Sequence, residues 1–325
     1  METTLFDMEG KGMKIVIALG GNALKKPKEA GTYEETMHNV MVTADQMVAL
    51  MERGHKLVVT HGNGPQVGAI ILQNQFAEPD VVALPMFVCG SESQGMLGFF
   101  LQQGLRNELV TKKSKLAGIS IATIVTQVEV DKNDPAFQDP TKPIGKFYSK
   151  EEAMKLKDEG KSVVEDAGRG WRVVVPSPMP KSIIEKDAIK ALVNGGHIVI
   201  ASGGGGIPVI RDDDDILHGV DAVIDKDLAG EVLAEIVEAD MFVILTDVDA
   251  AYVGWGTPEK RALPELTVAE AEKLIDEGQF ARGSMLPKVR AAMNFVKKTG
   301  SIAIITSLDR AVAAVDGKAG TRIVP

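Results

Sequence analysis

The sequence predicts an α/β fold in which a parallel sheet is covered by helices on both faces. Short apolar, β-branched runs alternate with segments of helical periodicity along most of the 325 residues. This alternation is typical of parallel sheets, whose strands are connected by helices. The apolar runs at 14–19, 56–60 and 197–201 each lead within two residues into glycine-containing turns. In such folds ligands bind beyond the carboxyl ends of the strands, where these turns are expected.

The first part of the chain supports this alternation element by element. Strands are predicted at 14–19, 56–60 and 120–125, because each is a short apolar run. Helices are predicted at 36–53, through 70–72 and at 93–109. In the first of these helices Val40, Ala44, Met47 and Met51 recur at helical spacing, and Gly54 provides an end.

Residues 127–170 interrupt the alternation and are predicted to form a lid subdomain. The segment is polar, contains prolines at 135, 140 and 143, and lacks the apolar runs found on either side of it. A helical stretch at 149–158 and the aromatic residues Phe137, Phe147 and Tyr148 indicate that it is at least partly packed. Long insertions in compact folds are often functional, for example as lids over active sites.

The rest of the chain returns to short apolar strands and amphipathic helices. Strands are predicted at 171–175, 197–201, 241–245 and 301–306, the last being the final strand, and helices at 183–194, 228–239, 267–277 and within 285–298. Residues 176–180, rich in proline, are expected to form a stiff connection. Thr267 and Glu270 have the spacing of a capping box. The acidic run at 212–215 is expected in a solvated loop.

The composition excludes several functional classes. The formal net charge of −9 disfavours nucleic acids and anionic membrane surfaces as partners. Cys89 is the only cysteine, so the sequence offers neither a disulfide framework nor a cysteine metal cluster. The sequence shows no secretory signal, and no apolar run is long enough to span a membrane. We therefore expect a cytoplasmic protein without a zinc site.

The glycine turns predict an anion site at one edge of the sheet. Glycine allows the backbone to approach a ligand closely and to direct N–H groups at an anion. The spacing of Gly62, Gly64 and Gly68 differs from a Rossmann fingerprint, and no Walker motif is present. The expected phosphate cradle comprises Gly20, Gly21, Asn22, Gly62, Asn63, Gly64, Gly203 and Gly204.

Lys226 is the candidate for charge neutralisation at this site. It lies between Asp225 and Asp227, directly after an apolar pair. A fixed lysine stabilises the charge that develops on a transferred phosphoryl group. The alternative interpretation is a sharp turn followed by a solvated helix face.

The chain resembles the carbamate kinases of the amino acid kinase family over nearly its whole length. The matching segments, in order, are VIALGGNAL (16–24), VVTHGNGPQVG (58–68), PTKPIG (140–145), EDAGRGWRVVVPSPMP (165–180), GGGGIPV (203–209), AVIDKDLA (222–229), LTDVD (245–249) and GQFARGSMLPKV (278–289). Acetylglutamate kinases and bacterial UMP kinases share the fold and the glycine turns. PTKPIG, EDAGRGW and GSMLPK are particular to the carbamate kinase branch.

This resemblance implies a three-layer αβα sandwich with a mainly parallel sheet and two lobes, the N-terminal lobe at 13–218 and the C-terminal lobe at 219–325. It implies reversible phosphoryl transfer between ATP and carbamate, giving ADP and carbamoyl phosphate, in a homodimer of arginine metabolism. Mg²⁺ would be bound mainly through the nucleotide phosphates. The implied nucleotide-binding residues are Asp247, Val248, Tyr252 and Met285.

The resemblance also implies roles for four charged residues. Lys226 would lie at the transferred phosphate, Lys288 would reach it from the nucleotide side, and Asp227 would orient both lysines. Lys142 in the lid would close over the carbamate. The family commonly has proline where this chain has Lys146, so Lys146 remains an alternative lid lysine, and Asp225 remains an alternative to Asp227.

Other functions stay open at this stage. The acceptor could be acetylglutamate or a nucleoside monophosphate rather than carbamate. A non-enzymatic nucleotide sensor would be expected to lack Lys226, Asp227 or Lys288, and all of these are present. A nicotinamide-dependent oxidoreductase is disfavoured by the glycine spacing. The connection at 210–219 is longer than the corresponding loop in most members of the carbamate kinase family.

Overall fold

A computed structural model describes residues 12–26, 28–166, 170–281 and 283–325. The strands of these residues are β1 (Lys14–Leu19), β2 (Lys56–His61), β3 (Ile121–Thr123), β4 (Gln127–Val130), β5 (Lys142–Tyr148), β6 (Val163–Glu165), β7 (Trp171–Val175), β8 (Pro180–Ile183), β9 (Ile198–Ile200), β10 (Ile207–Arg211), β11 (Leu217–Gly219), β12 (Met241–Thr246), β13 (Ala251–Val253), β14 (Arg261–Leu263), β15 (Glu265–Thr267), β16 (Ile302–Ser307) and β17 (Thr321–Val324). The helices are α1 (Tyr33–Glu52), α2 (Gly64–Ala77), α3 (Met86–Thr111), α4 (Lys150–Asp158), α5 (Lys186–Asn194), α6 (Lys226–Ile236), α7 (Val268–Asp276), α8 (Met285–Thr299) and α9 (Ala311–Val315).

The central sheet has eight strands in the order β15-β17-β16-β12-β1-β2-β9-β3. Every neighbouring pair in it is parallel except β16–β17, which is antiparallel. The carboxyl ends of β1, β2, β9 and β12 therefore lie at the same edge. The predicted α/β class with a mainly parallel sheet is confirmed.

Helices cover both faces of this sheet. Successive residues of β1 alternate between two cores: Val16 packs in the core that includes residues of α6 and α8, and Ile17 packs in the core that includes residues of α1 and α3. Both side chains have no exposed surface, which is typical of a strand buried on both sides. Burying a side chain of this size contributes roughly 1.5–3 kcal/mol. Strand β1, which leads into the first glycine turn, is thus held in the buried centre of the sheet.

The lid boundaries differ from the predicted interval of 127–170. Residues of β4 pair with β8 and β10 in a separate four-stranded sheet, so the excursion begins later. The segment that we predicted to be a lid contains the antiparallel sheet β5-β7-β6 and α4, and β7 was not expected to belong to it. The apolar run of β7 resembles a central strand, but most of its side chains are only partly buried. We call β5, β6 and β7 the lid sheet.

Several element boundaries also require correction. The stiff connection at 176–180 runs into β8, so α5 starts at Lys186 rather than 183. Helix α3 starts at Met86, seven residues before the predicted position. Residues 301–306 do not form the final strand, because β17 follows and closes against β16. The short strands β10, β11, β13, β14 and β15 were also missed, because three to five residues carry little periodic signal.

Helix α6 starts two residues earlier than predicted, which matters for the site. The Asp225 side chain accepts a hydrogen bond from the Asp227 N–H and caps the helix, so Lys226 is its first residue. The capping box of Thr267 and Glu270 is present as predicted. Among the described residues, no helix is both long and apolar enough to cross a membrane.

Candidate active site

The first two glycine turns converge beyond the ends of β1 and β2. Gly20 N–H donates to the Leu245 carbonyl at 3.0 Å, and Gly62 N–H donates to the Leu19 carbonyl at 3.0 Å. A Cβ atom on Gly62 would lie 3.5 Å from the Gly21 nitrogen. The backbone of Asn22 lies in the short 3-10 turn Gly21–Ala23. Gly64 opens α2, so this helix N-terminus faces the same region.

The turn after β9 meets the second turn directly. A Cβ atom on Gly204 would lie 2.1 Å from Nδ2 of Asn63, so a side chain would not fit there. Gly204 also has φ +67°, a conformation that other residues rarely adopt. The structure therefore brings the three predicted turns together, with the Asn63 amide packed against the third turn. Gly20 and Gly62 were expected to direct their N–H groups at an anion, but these groups already donate to backbone carbonyls and thus fix the turns instead.

Buried polar side chains hold the third turn in place. Gln94 of α3 donates from Nε2 to the Gly203 carbonyl at 3.1 Å and accepts from Thr126 N–H at 2.7 Å. Thr60 Oγ1 donates to the Ser202 carbonyl at 2.9 Å. Ser202 has φ 56° and no exposed surface, so its backbone is held in a left-handed conformation ahead of the glycines. Such strain persists only where the surroundings determine the backbone.

Sequence reasoning missed these supporting residues. Gln94 lies in a helix, and a single glutamine in a helical segment carries no local signal of a buried role. Thr60 and His61 could have been found, since they immediately precede the glycine turn at the end of β2.

Lys226 and Lys288 flank one buried carboxylate. Lys288 Nζ donates to Asp227 Oδ2 at 3.0 Å, and Lys226 Nζ donates to Asp227 Oδ1. The Asp227 side chain is only 3% exposed. A Cβ atom on Gly62 would lie 3.3 Å from Cδ of Lys226, so this lysine extends along the second glycine turn. The structure thus brings Lys288 onto Asp227, from which it is separated by 61 positions in the chain, and places Lys226 beside both.

The two ammonium groups control the charge of Asp227. Burial alone would raise the pKa of Asp227, but Lys226 and Lys288 outweigh it and hold the pKa below its ordinary value. Burial lowers the pKa of Lys226, and this effect is opposed by the Asp227 charge and increased by Lys288. An anion beside Lys226 would raise the pKa of this lysine again. The cluster therefore has an ionised carboxylate between two lysines and favours an anionic ligand.

His61 lies beneath the third turn as a neutral imidazole. Its side chain is buried, and burial lowers the pKa to about 4 against the opposing hydrogen bond to the Gly62 carbonyl. A carbonyl oxygen can only accept, so Nδ1 carries the proton and donates to Gly62 at 3.0 Å. A Cβ atom on Gly203 would lie 2.5 Å from His61 Nε2, so the imidazole packs directly against the turn.

The lid sheet places Lys142 beside the start of α6. Lys142 Nζ donates to Asp225 Oδ2 at 3.0 Å. Lys146 instead pairs with Glu152 at 3.9 Å and lies 4.9 Å from the ring centre of Tyr148, both within the lid. Of the two candidate lid lysines, Lys142 is the one that contacts the helix carrying Lys226.

Three of the four predicted nucleotide-binding residues line one cavity of about 130 Å³. Its lining residues are Val248, Tyr252, Trp255, Gln279, Phe280, Ala281, Ser284 and Met285. Asp247 is exposed on the turn after β12 and is not among them. Lys260 Nζ lies 4.4 Å from the ring centre of Tyr252 and 4.1 Å from that of Trp255, so it braces the aromatic wall.

No group of three or more histidine, cysteine or acidic side chains in the described ranges is arranged to hold a metal ion. The carboxylates nearest the lysine cluster are already engaged. Asp227 accepts from Lys226 and Lys288, and Asp225 accepts from Lys142 and from the Asp227 N–H. A divalent cation at this site would therefore need ligands from a bound substrate.

Comparisons with known proteins identify the family of the chain. The amino acid kinase family model matches residues 13–307. The chain is 53% identical over 316 residues to a carbamate kinase of Trichomonas vaginalis, covering 96% of this chain and 100% of that protein. It is 52% identical over 317 residues to a carbamate kinase of Pyrococcus furiosus, covering 97% and 100%.

The solved structures show the same relationship. A carbamate kinase from Giardia lamblia bound to AMP-PNP has a TM-score of 0.90 and 47% identity, covering 96% of this chain and 98% of that chain. A structure from Aeropyrum pernix has a TM-score of 0.90 at 37% identity, covering 95% of this chain and 99% of that chain. The chain therefore belongs to the amino acid kinase family and is a phosphotransferase.

Proposed function

We propose that this chain catalyses reversible phosphoryl transfer between ATP and carbamate, giving ADP and carbamoyl phosphate. The observation that carries the proposal is the pair of lysines held on the buried Asp227 at the glycine turns. In-line phosphoryl transfer needs positioning and charge stabilisation more than covalent chemistry by the protein. Relatives with about half of their residues identical are carbamate kinases, which supports carbamate as the acceptor.

The proposed mechanism assigns charge stabilisation to Lys226 and Lys288. Both ammonium groups would flank the transferred phosphoryl group, while N–H groups of the glycine turns other than those of Gly20 and Gly62, which already donate to backbone carbonyls, would donate to its oxygens and to carbamate. Asp227 acts as an organiser of the two lysines. Its low pKa makes it a poor base, and none is needed, because carbamate already carries an anionic oxygen.

The nucleotide base would occupy the cavity lined by Tyr252 and Met285, on the C-terminal lobe. Mg²⁺ would enter with the nucleotide and neutralise charge on its phosphates. Aromatic and apolar side chains suit a purine face, and the Lys260 contact keeps the aromatic wall in place.

Nucleotide binding can be measured with the protein's own fluorescence. The chain has two tryptophans, Trp171 in the lid sheet and Trp255 at the cavity. In a Trp171→Phe background, ADP should change the Trp255 emission saturably. A matched Trp255→Phe variant reports Trp171 alone, and a response that is confined to Trp171 would contradict the assigned cavity.

Acceptor identity is tested by supplying ADP, carbamoyl phosphate and Mg²⁺ and measuring ATP with luciferase. We expect ATP to form, and Lys226→Ala to abolish its formation. Parallel reactions with ATP and either acetylglutamate or UMP test the other acceptors. ADP release only with one of these would overturn carbamate as the acceptor while leaving the phosphotransferase class intact.

We also propose a cytoplasmic homodimer. Phe99 is 51% exposed on α3, beside β3 at the edge of the central sheet, where a second copy would cover apolar surface. Light scattering should give twice the chain mass, and Phe99→Glu should shift it toward the monomer. A monomeric parent protein would contradict this part of the proposal.

A further inference from the structure

Asp225 uses both carboxylate oxygens, and each serves a different part of the molecule. Oδ1 accepts the Asp227 N–H at 2.9 Å and caps α6. Oδ2 accepts from Lys142 Nζ of the lid sheet at 3.0 Å. The Asp225 side chain is 14% exposed and that of Lys142 is 32% exposed, so water only partly screens the contact.

This contact differs from ion pairs such as Lys155–Glu151 among the described residues of the lid. Lys146–Glu152 and Arg172–Asp166 join lid residues to one another. Lys142–Asp225 instead spans 83 positions and ties β5 to the first turn of the helix that carries Lys226 and Asp227. The position of the lid lysine is therefore coupled to the helix N-terminus at the transfer site.

We propose that Asp225 is a positioning residue that holds Lys142 of the lid over the phosphoryl-transfer site. The proposal rests on the proposed function, because it requires Lys142 to act on the small acceptor. A free lysine side chain samples many rotamers, whereas a charge-assisted hydrogen bond fixes its ammonium group. The same carboxylate caps α6, so Asp225 fixes the position of Lys142 relative to Lys226, the first residue of that helix.

Asp225→Asn separates the capping of α6 from the ion pair with Lys142. Asparagine caps helices about as well as aspartate, so α6 should keep its start, while the charge that holds Lys142 is lost. We expect kcat/KM for carbamoyl phosphate to fall about 10- to 100-fold and KM for ADP to change less than about twofold. The thermal midpoint should match the parent, and Asp225→Ser, which also caps, should behave in the same way.

A double-mutant cycle with Lys142→Ala tests the coupling. If Asp225 acts through Lys142, adding Asp225→Asn to Lys142→Ala should cost less than about a further twofold. Fully additive losses would overturn the proposal, because Asp225 also lies close enough to Lys226 to act on its charge directly. Normal carbamoyl phosphate kinetics in Lys142→Ala would also overturn it. Absence of ATP formation by the parent would instead refute the proposed function.

Hydrogen exchange provides a readout that does not depend on turnover. Amides of Lys142–Tyr148 should exchange faster in Asp225→Asn than in the parent. Asp213→Asn is a matched control, because it removes the exposed Lys132–Asp213 ion pair of 2.6 Å near the lid and should change neither exchange nor kinetics. Unchanged exchange in Asp225→Asn would overturn the proposal. Higher activity of Asp225→Asn than of the parent would also overturn the proposal, because Asp225 would then restrain Lys142 in an inactive position.

Discussion

Acidification should destabilise the protein through His61. The imidazole is 1% exposed, and its Nδ1 donates a hydrogen bond to the Gly62 carbonyl. Protonation would place a buried positive charge next to Gly203 and near Lys226. The folded protein therefore resists protonation of this residue, whereas the unfolded chain does not.

The contribution of neutral His61 to the free energy of unfolding follows from its pKa values in the folded and unfolded states. The folded pKa is about 4 and the ordinary value is 6.5, so the unfolded state binds more protons between these limits. The contribution is fully present above pH 6.5 and is lost as the pH falls toward 4. It amounts to roughly 3 kcal/mol in total, of which about 2 kcal/mol is lost by about pH 5.

Urea unfolding at a series of pH values measures this contribution, with His61→Asn as the control. Asparagine offers an N–H donor near the position of Nδ1 and does not titrate. Carboxylates also lose stability in acid, so the informative quantity is the difference in unfolding free energy between parent and variant. We expect this difference to change by about 2 kcal/mol in favour of the variant between neutral pH and about pH 5. Parallel pH curves for the two proteins would refute the reasoning.

Three substitutions at the glycine turns and the lysine cluster test the site geometry. Gly62→Ala should slow turnover roughly tenfold with an unchanged thermal midpoint, because its Cβ would lie 3.3 Å from Lys226 Cδ and would shift that lysine slightly. Gly204→Ala should lower both the thermal midpoint and activity, because a residue with φ +67° would place Cβ 2.1 Å from Asn63 Nδ2; a fully stable variant would contradict the packing of these turns. Lys226→Ala should cost at least about 100-fold in turnover, measured as ATP formation, and near-normal turnover would refute its role.

The parts of the fold that the sequence predicts are those with strong local patterns. The run at 14–19 is apolar after Lys14, and the structure buries both of its faces. The glycine turns were placed correctly because strand ends and glycines are both visible in the sequence. Parallel pairing then puts these turns at one edge, so their convergence required no knowledge of the side chains.

Local sequence patterns do not distinguish Lys142 from Lys146 as the lysine that contacts the site. Both positions would lie on the same side of a regular strand, since side chains alternate with a period of two. The pairing of β5 with β7 instead shifts register between Ile144 and Tyr148, and Gly145 has φ +67°. This irregularity allows the two lysines to have different partners, and it follows from the pairing of the lid sheet rather than from the strand alone.

The supporting contacts of the site were missed for a different reason. Gln94 supports the third glycine turn only because α3 packs over this turn, which places the Gln94 amide against the Thr126 and Gly203 backbone. Trp255 forms the cavity wall only because β13 and β14 form a hairpin beside α8. These roles arise from contacts between distant segments.

The electrostatics of the site link these structural details to its proposed ligand. The chain as a whole carries a net charge of −9, which repels anions over long distances. At the glycine turns, two lysines, Lys226 and Lys288, share the single carboxylate of Asp227. Burying two ammonium groups beside one carboxylate is costly unless an anion balances the second charge. The N–H groups at the start of α2 add to the same preference. We therefore expect a bound phosphate to offset the cost of burying these lysines. A few residues at the glycine turns would then attract an anion against the negative charge of the whole chain.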